Sequence, residues 1–252
     1  MNVRVLKMGL HGGEEPVVKG NDRSGLVVFS GCHLACSFCY TPETSVLRLG
    51  TDLSASQFAQ RLQALCVSGA RNIGLISPSH VWDSIEPVLV DWKKGAGAAV
   101  PLILKNSGFE SPHLIRRFAQ VADVFVPDFK VWDPTLALSV RLPARYGEVA
   151  KSAFEAMLES HGTAVFDQGK LVRGIVARHL LMPGFEEDSV QVIAAMHAAG
   201  YASYLNLMTH FIDGKGHLVK ASQSRVAILS ELAQQAGMQV LVDGLSKSRR
   251  AA

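Results

Sequence analysis

Short apolar runs alternate with longer amphipathic stretches along nearly the whole chain, and this alternation restricts the fold more than any other feature. The apolar runs are LVVFS (26–30), NIGLI (72–76), PLILK (101–105), VFVPDF (124–129), GIVARHLLM (174–182), YLNLM (204–208) and QVLV (239–242), each of strand length. Helix-period patterns separate them at 54–68, 81–94 and 111–121, with further ones over 147–160, 186–199 and 222–236. Ser111-Pro112 opens the third pattern in the manner of an N-cap followed by proline at the first helical position. Strands this apolar cannot face water on either side, so the alternation predicts a parallel sheet covered by helices. Six or seven strands fall short of the eight of a complete barrel, and the expected fold is α/β, a partial TIM barrel of (β/α)6 type. The run 94–99, Lys-Gly-Ala-Gly-Ala-Ala, has the look of a dinucleotide loop. It follows a helix and precedes a strand, the wrong order for phosphate at a helix N-terminus, and so reads as a plain loop.

Of the 252 residues, 48% are hydrophobic and 19% charged, which suits a sizeable buried core and excludes a disordered or fibrous chain. One domain over 1–252 is expected, with 1–24 as an N-terminal extension and the barrel over about 25–242. The formal net charge of +3 is modest, and basic residues are scattered apart from Lys247, Arg249 and Arg250, so nothing supports nucleic acid as a partner. The first residues carry no apolar segment with a small-residue cleavage site, and no apolar run approaches the roughly 18 to 20 residues that span a bilayer. A cytoplasmic protein without membrane attachment is the expectation.

Three of the four cysteines lie together in Gly31-Cys32-His33-Leu34-Ala35-Cys36-Ser37-Phe38-Cys39-Tyr40, directly after the first core strand. Without a secretory signal, this C-x3-C-x2-C spacing reads as a metal or redox site and not as disulfides. In parallel α/β folds ligands bind beyond the carboxyl ends of the strands, where a loop can curl three thiolates around a cubane. Three thiolates leave one iron of a [4Fe–4S] cube open. An open iron can take the amino and carboxylate groups of a small molecule and pass an electron into its sulfonium. Two other readings use the same residues. A zinc site would recruit His33 or Cys66 as fourth ligand, although no second C-x2-C knuckle or H-x3-H partner is present. A plain electron carrier needs four cysteines per cluster and has little use for a barrel of ~250 residues. Cys66, in the helical pattern QFAQRLQALCVSG, reads as a small buried hydrophobe.

A C-x3-C-x2-C loop with an aromatic residue beside its last cysteine, here Phe38 and Tyr40, resembles the signature of the radical S-adenosylmethionine (SAM) superfamily. Further runs extend the likeness over most of the chain: His11-Gly12-Gly13-Glu14-Glu15-Pro16, Ser24-Gly25, Ser77-Pro78-Ser79-His80, Asn106-Ser107-Gly108-Phe109-Glu110, Pro127-Asp128-Phe129-Lys130, Arg178-His179, Met182-Pro183-Gly184 and Asn206-Leu207-Met208. Together they resemble the pyruvate formate-lyase activating enzyme-like radical SAM proteins. The likeness implies a [4Fe–4S] cluster on Cys32, Cys36 and Cys39, reductive cleavage of SAM, and a 5′-deoxyadenosyl radical that abstracts hydrogen from a substrate held in the barrel.

It also implies SAM contacts. Ser77, Ser79 or His80 stand where many such enzymes carry a Gly-Gly-Glu motif, although a helix cap would use the same serines. Asn106 and Ser107 are placed to reach the ribose or the methionine end, and Gly108 permits a close or left-handed backbone, as a simple turn also would. Lys105 stands where activases carry an aspartate, which puts a cation site there in doubt. Asp128 and Lys130 match the activase Asp-x-Lys, so that Lys130 approaches the SAM carboxylate while Asp128 organises the site; a surface ion pair is the alternative. Arg178 matches an arginine near SAM and would need an anionic partner if buried. His179, alternating to the other face, is expected in the outer layer. Tyr40 is counted with the cofactor contacts. His210 resembles an activase histidine only loosely, and His11, Glu14 and Glu15 belong to a segment that could form part of a lid.

The implied partners are a one-electron donor, ferredoxin or flavodoxin, and a protein or peptide substrate such as a glycyl radical enzyme. Radical modification of another peptide or a small molecule is the second reading. The region before the cysteines reads Asn21-Asp22-Arg23-Ser24-Gly25 in place of the activase Asp-Gly-Pro-Gly, which weighs against activation, and Cys66 alone cannot build an accessory cluster. A non-catalytic scaffold that binds zinc or a cluster is the third reading.

Overall fold

The computed structural model describes residues 2–12, 16–19, 23–162, 164–167, 170–213, 216–243 and 245–246. Gly13, Glu14, Glu15, Asn21, Asp22 and the tail residues Lys247, Arg249 and Arg250 lie outside the described residues. The chain runs β1 (Asn2–His11), α1 (Pro16–Lys19), β2 (Ser24–Phe29), α2 (Pro42–Ser45), β3 (Thr51–Ser54), α3 (Ala55–Val67), β4 (Ile73–Ile76) and α4 (Trp82–Lys94). There follow β5 (Leu102–Lys105), α5 (Pro112–Phe118), β6 (Val124–Phe125), α6 (Pro134–Ser139), α7 (Tyr146–His161), β7 (Val165–Asp167) and β8 (Lys170–Leu180). The last third is α8 (Glu186–Ala198), β9 (Tyr204–Met208), β10 (His210–Ile212), β11 (Leu218–Lys220), α9 (Gln223–Gln235), β12 (Gln239–Val242) and β13 (Leu245–Ser246).

Strands β2, β4, β5, β6, β8, β9 and β12 pair in parallel in the order in which they occur in the chain. Parallel neighbours in sequence order need a crossover of the same hand each time, which puts the helices on one face and curves the sheet about the other. That is the winding of a (β/α) barrel, and a doubly wound sheet would reverse its order midway. These seven strands are the seven apolar runs, so the six-strand barrel carries β12 as a further parallel strand. At the leading edge β1 pairs antiparallel with both β2 and β3, and β13 folds back on β12 at the other. Residues 2–11 of the N-terminal segment are therefore sheet and cover the edge of β2. The expected strand over 124–129 is regular only at Val124–Phe125. Proline at 127 has no N–H to give, yet pairing resumes beyond it, Asp128 N donating to Asn106 O (3.0 Å) and Phe129 N to Arg178 O (2.8 Å).

Two apolar layers form. The outer one packs Leu102, Leu104, Phe125, Ile175, Ala177, Leu205 and Leu207 against the helices. The inner one gathers Ile103, Val124, Val126, Val176 and Leu241, with Val18 of α1. Because side chains alternate along a strand, the positions two beyond these inner residues stay on the inner face: Lys105 after Ile103, Asp128 after Val126, Arg178 after Val176. The inside of the sheet is thus apolar at depth and charged at the carboxyl ends of its strands.

His179 shows the opposite face of the same alternation. Its Nδ1 donates to Phe129 O at 2.7 Å and its Nε2 meets Ser189 Oγ of α8 at 2.9 Å, in the outer layer. Burial pushes its pKa down from the usual value to about 4. A histidine held neutral in the fold contributes stability that is complete above its unfolded pKa near 6.5 and is lost as pH falls from there toward the folded value. Thermal or urea unfolding at pH 7 and pH 4.5 is expected to show about 2–3 kcal/mol of acid destabilisation, much of which His179→Gln should remove; an unchanged pH slope in that variant would refute the assignment.

Candidate functional site

The site is built where successive strands end. After β2 the chain turns through Gly31, whose φ of +96° puts it in the left-handed region, into the cysteine loop. His80, on the turn after β4, closes on that bend: its Nε2 donates to Ser30 O at 2.8 Å, and a Cβ on Gly31 would lie 2.8 Å from this nitrogen. Small size and positive φ are both required at Gly31.

Cys32, Cys36 and Cys39 line one cavity of about 330 Å³. The same cavity is lined by Tyr40, Ser77, Asn106, Ser107, Asp128, Lys130 and Arg178, while Ser79 and His80 do not line it. His80 instead supports the cysteine loop through Ser30 O. His210 also does not line the cavity. Its side chain stands 3.5 Å from Asp243, while its carbonyl accepts a hydrogen bond from the Tyr40 hydroxyl. Tyr40 thereby ties the cysteine loop to β10, and Phe38 packs against Phe211 of the same strand with ring centroids 5.8 Å apart. Cys66 sits half-buried on α3 at the edge of the outer layer.

Burial dominates the cysteines' chemistry: it raises the pKa of Cys32 and pushes Cys36 up to about 11. Metal or cluster ligation must therefore expel thiol protons. Among the described residues no three His, Cys, Asp or Glu side chains converge closely enough to hold one metal ion. Zinc demands four ligands at about 2.0–2.3 Å around a single point, whereas a cubane takes each thiolate on a different iron.

On the opposite wall Asp128 takes Nε–H of Arg178 on Oδ1 at 2.7 Å and the Lys130 ammonium on Oδ2. Burial alone would raise the Asp128 pKa, but the two cations outweigh it and hold the carboxyl below its usual range. For Lys130 burial pulls downward and Asp128 prevails, so its pKa is raised. Lys105 lines the same wall. Ser77 enters the cavity with φ of +52°, a strained conformation for a residue with a Cβ and one that clusters at ligand sites.

Two residues of this region carry weight that the sequence did not assign them. Tyr146 of α7 is buried and places its hydroxyl 2.7 Å from Ser107 O and 3.1 Å from Asp128 O, while accepting from Lys130 N at 3.1 Å. Glu110 is buried beneath Asn106 and Ser107 and accepts hydrogen bonds from both. The spacing Ser107-x-x-Glu110 is that of a capping box, and Glu110 does reach back to Ser107 N (3.2 Å), which was the available signal for it.

The sheet order, with a three-cysteine loop after the first parallel strand, is a fold shared with solved radical SAM enzymes. The chain superposes on a radical SAM methyltransferase from Sphaerobacter thermophilus with a TM-score of 0.60 at 16% identity, covering 87% of this chain and 66% of that one. It matches SuiB of Streptococcus suis bound to S-adenosylmethionine with a TM-score of 0.62 at 10% identity, covering 86% of this chain and 49% of SuiB. SuiB has also been solved with its precursor peptide SuiA. A spore photoproduct lyase with dinucleoside spore photoproduct matches with a TM-score of 0.54 at 12% identity, covering 84% of this chain and 74% of the lyase. The chain thus spans about two thirds of the methyltransferase and half of SuiB. No protein-family model and no curated protein matches it. Among the described residues, no helix is long and apolar enough to cross a membrane.

Proposed function

We propose that this chain is a radical SAM enzyme, with a [4Fe–4S] cluster on Cys32, Cys36 and Cys39 and SAM in the adjoining cavity. The observation that carries the reading is the convergence of those three cysteines with Asp128, Lys130 and Arg178 on one cavity of about 330 Å³. When bound, the cluster supplies the electron that cleaves SAM to methionine and a 5′-deoxyadenosyl radical able to abstract hydrogen from a substrate. The chain's own residues bind and orient. Lys130 and Arg178 offer donors to the SAM carboxylate, and Asp128 holds both cations in place. Asn106 and Ser107 face the ribose or the methionine end, Ser77 adds a polar contact, and Tyr40 fixes the loop. Phe38, Ile76, Leu180 and Met208 give the cavity apolar walls that exclude water.

For substrate, a protein or peptide is our first choice, in keeping with SuiB and its precursor peptide, and activation of a glycyl radical enzyme is the most specific form of it. Radical chemistry on a small molecule is the second reading, supported by the variety of chemistries among the structural neighbours. A cytoplasmic ferredoxin or flavodoxin would supply the electron. The test is anaerobic reconstitution with iron and sulfide, then dithionite and SAM. One cubane per chain and release of 5′-deoxyadenosine with methionine are expected; tightly bound zinc without SAM cleavage would replace the reading by a scaffold.

A further inference from the structure

Resting on that reading, we infer that Glu110 is a positioning residue that fixes which hydrogen-bonding group the cavity shows its ligand. Its side chain is 0% exposed. Oε1 accepts from Ser79 Oγ (2.7 Å), Ser107 Oγ (2.8 Å) and Ser107 N (3.2 Å), and Oε2 accepts from Asn106 Nδ2 (2.9 Å). An ionised carboxylate only accepts. The Asn106 amide must therefore turn its NH2 toward Glu110, because the flipped amide would set two acceptors against each other. Among the described residues its Oδ1 is left buried without a hydrogen-bond partner, on a residue that lines the cavity.

An orphaned buried acceptor is costly until something donates to it. A ligand that brings an N–H or O–H to this wall is favoured, and one that brings an acceptor is rejected. SAM carries such donors on its amino group, ribose and adenine. Ser107 Oγ, having donated to Glu110, accepts from His33 Nε2 at 2.9 Å, so the carboxylate also fixes the direction in which that hydroxyl points.

The test is a double-mutant cycle on the full reconstituted chain, reading equilibrium binding of SAM and S-adenosylhomocysteine by anaerobic calorimetry without reductant. Glu110→Gln, which places an NH2 among donors, is expected to weaken binding about 10- to 100-fold while iron per chain is unchanged. In an Asn106→Ala background the same change should alter binding less than about threefold, since Glu110 acts through that amide. Binding by E110Q equal to wild type, or losses that multiply in the double variant, would overturn the inference. Should E110Q not fold, Glu110→Asp, whose shorter carboxylate draws back from the amide, completes the same cycle with the same criteria. Wild-type protein that carries a cubane yet binds no SAM would refute the proposed function instead. The role of Glu110 is then read on the metal-free chain labelled with 15N-asparagine. The Asn106 side-chain NH2 protons should exchange at least ~10-fold more slowly in wild type than in E110Q; equal exchange would overturn the inference.

Discussion

Cys36→Ala protein, reconstituted anaerobically with iron and sulfide, is expected to lose the cubane absorbance and to form 5′-deoxyadenosine at least ~100-fold more slowly than wild type. Even residues that merely orient a metal ligand shift affinity or activity by about 10- to 100-fold, and removing a ligand itself exceeds that range. Cys36 is the middle thiol of a loop anchored on both sides, by His80 at Ser30 and by Tyr40 at His210. Alanine should leave the fold intact, since Cys36 is only partly buried, so lost turnover with an unchanged unfolding midpoint is the expected pattern. Full iron content and full turnover in C36A would remove the basis of the proposed function.

Gly108→Ala is expected to destabilise the chain by about 3 kcal/mol or more, lowering the melting temperature by roughly 6–12 °C. At φ of +81° a side chain is already strained, and a Cβ here would sit 2.0 Å from Asp128 O and 3.0 Å from the Tyr146 hydroxyl. The obstacle is backbone, so it cannot swing aside. Either the turn after β5 or the strand end carrying Asp128 has to move, and each holds a wall of the cavity. Gly184 provides the control: its φ is +84° and nothing lies within 4 Å of the place a Cβ would occupy, so Gly184→Ala should cost only about 1 kcal/mol. Equal losses in the two variants, by urea titration, would mean that strain alone matters and that the contact with Asp128 does not.

The architecture was legible because it is written in periodicity. All seven parallel strands lie in apolar runs, and the long helices follow 3.6-residue patterns with recognisable caps, such as Ser54 accepting from Gln57 N and Ser111 from Leu114 N. The elements that escaped are short or half-exposed. Strand β1 alternates buried and exposed residues only at its start, β3 has four residues, and among the described residues β10 and β11 pair only with each other. Their existence depends on a partner distant in sequence, which local pattern does not reveal. At the site, the cysteines, Asp128, Lys130 and Arg178 were visible because charge or thiol stood at a strand end. For His80, a histidine after a strand has two directions to point, and the close approach to Gly31 that decides between them is a tertiary fact. Glu110 and Tyr146 act from behind the wall; the spacing Ser107-x-x-Glu110 is a faint signal for the first, and nothing in the local pattern announces the second.

The parallel sheet has two rims, and they differ in how much change they can absorb. The thiols and the charged wall both stand on the rim where the strands finish. On the opposite rim the returning helices hand over to the next strand through turns such as those at Gly69 and Gly200, both at positive φ with nothing within 4 Å of a would-be Cβ. A linker, an affinity tag or a new pair of chain ends introduced there would leave the chemistry at the far rim untouched, which makes these turns the natural places at which to dissect or rewire the molecule.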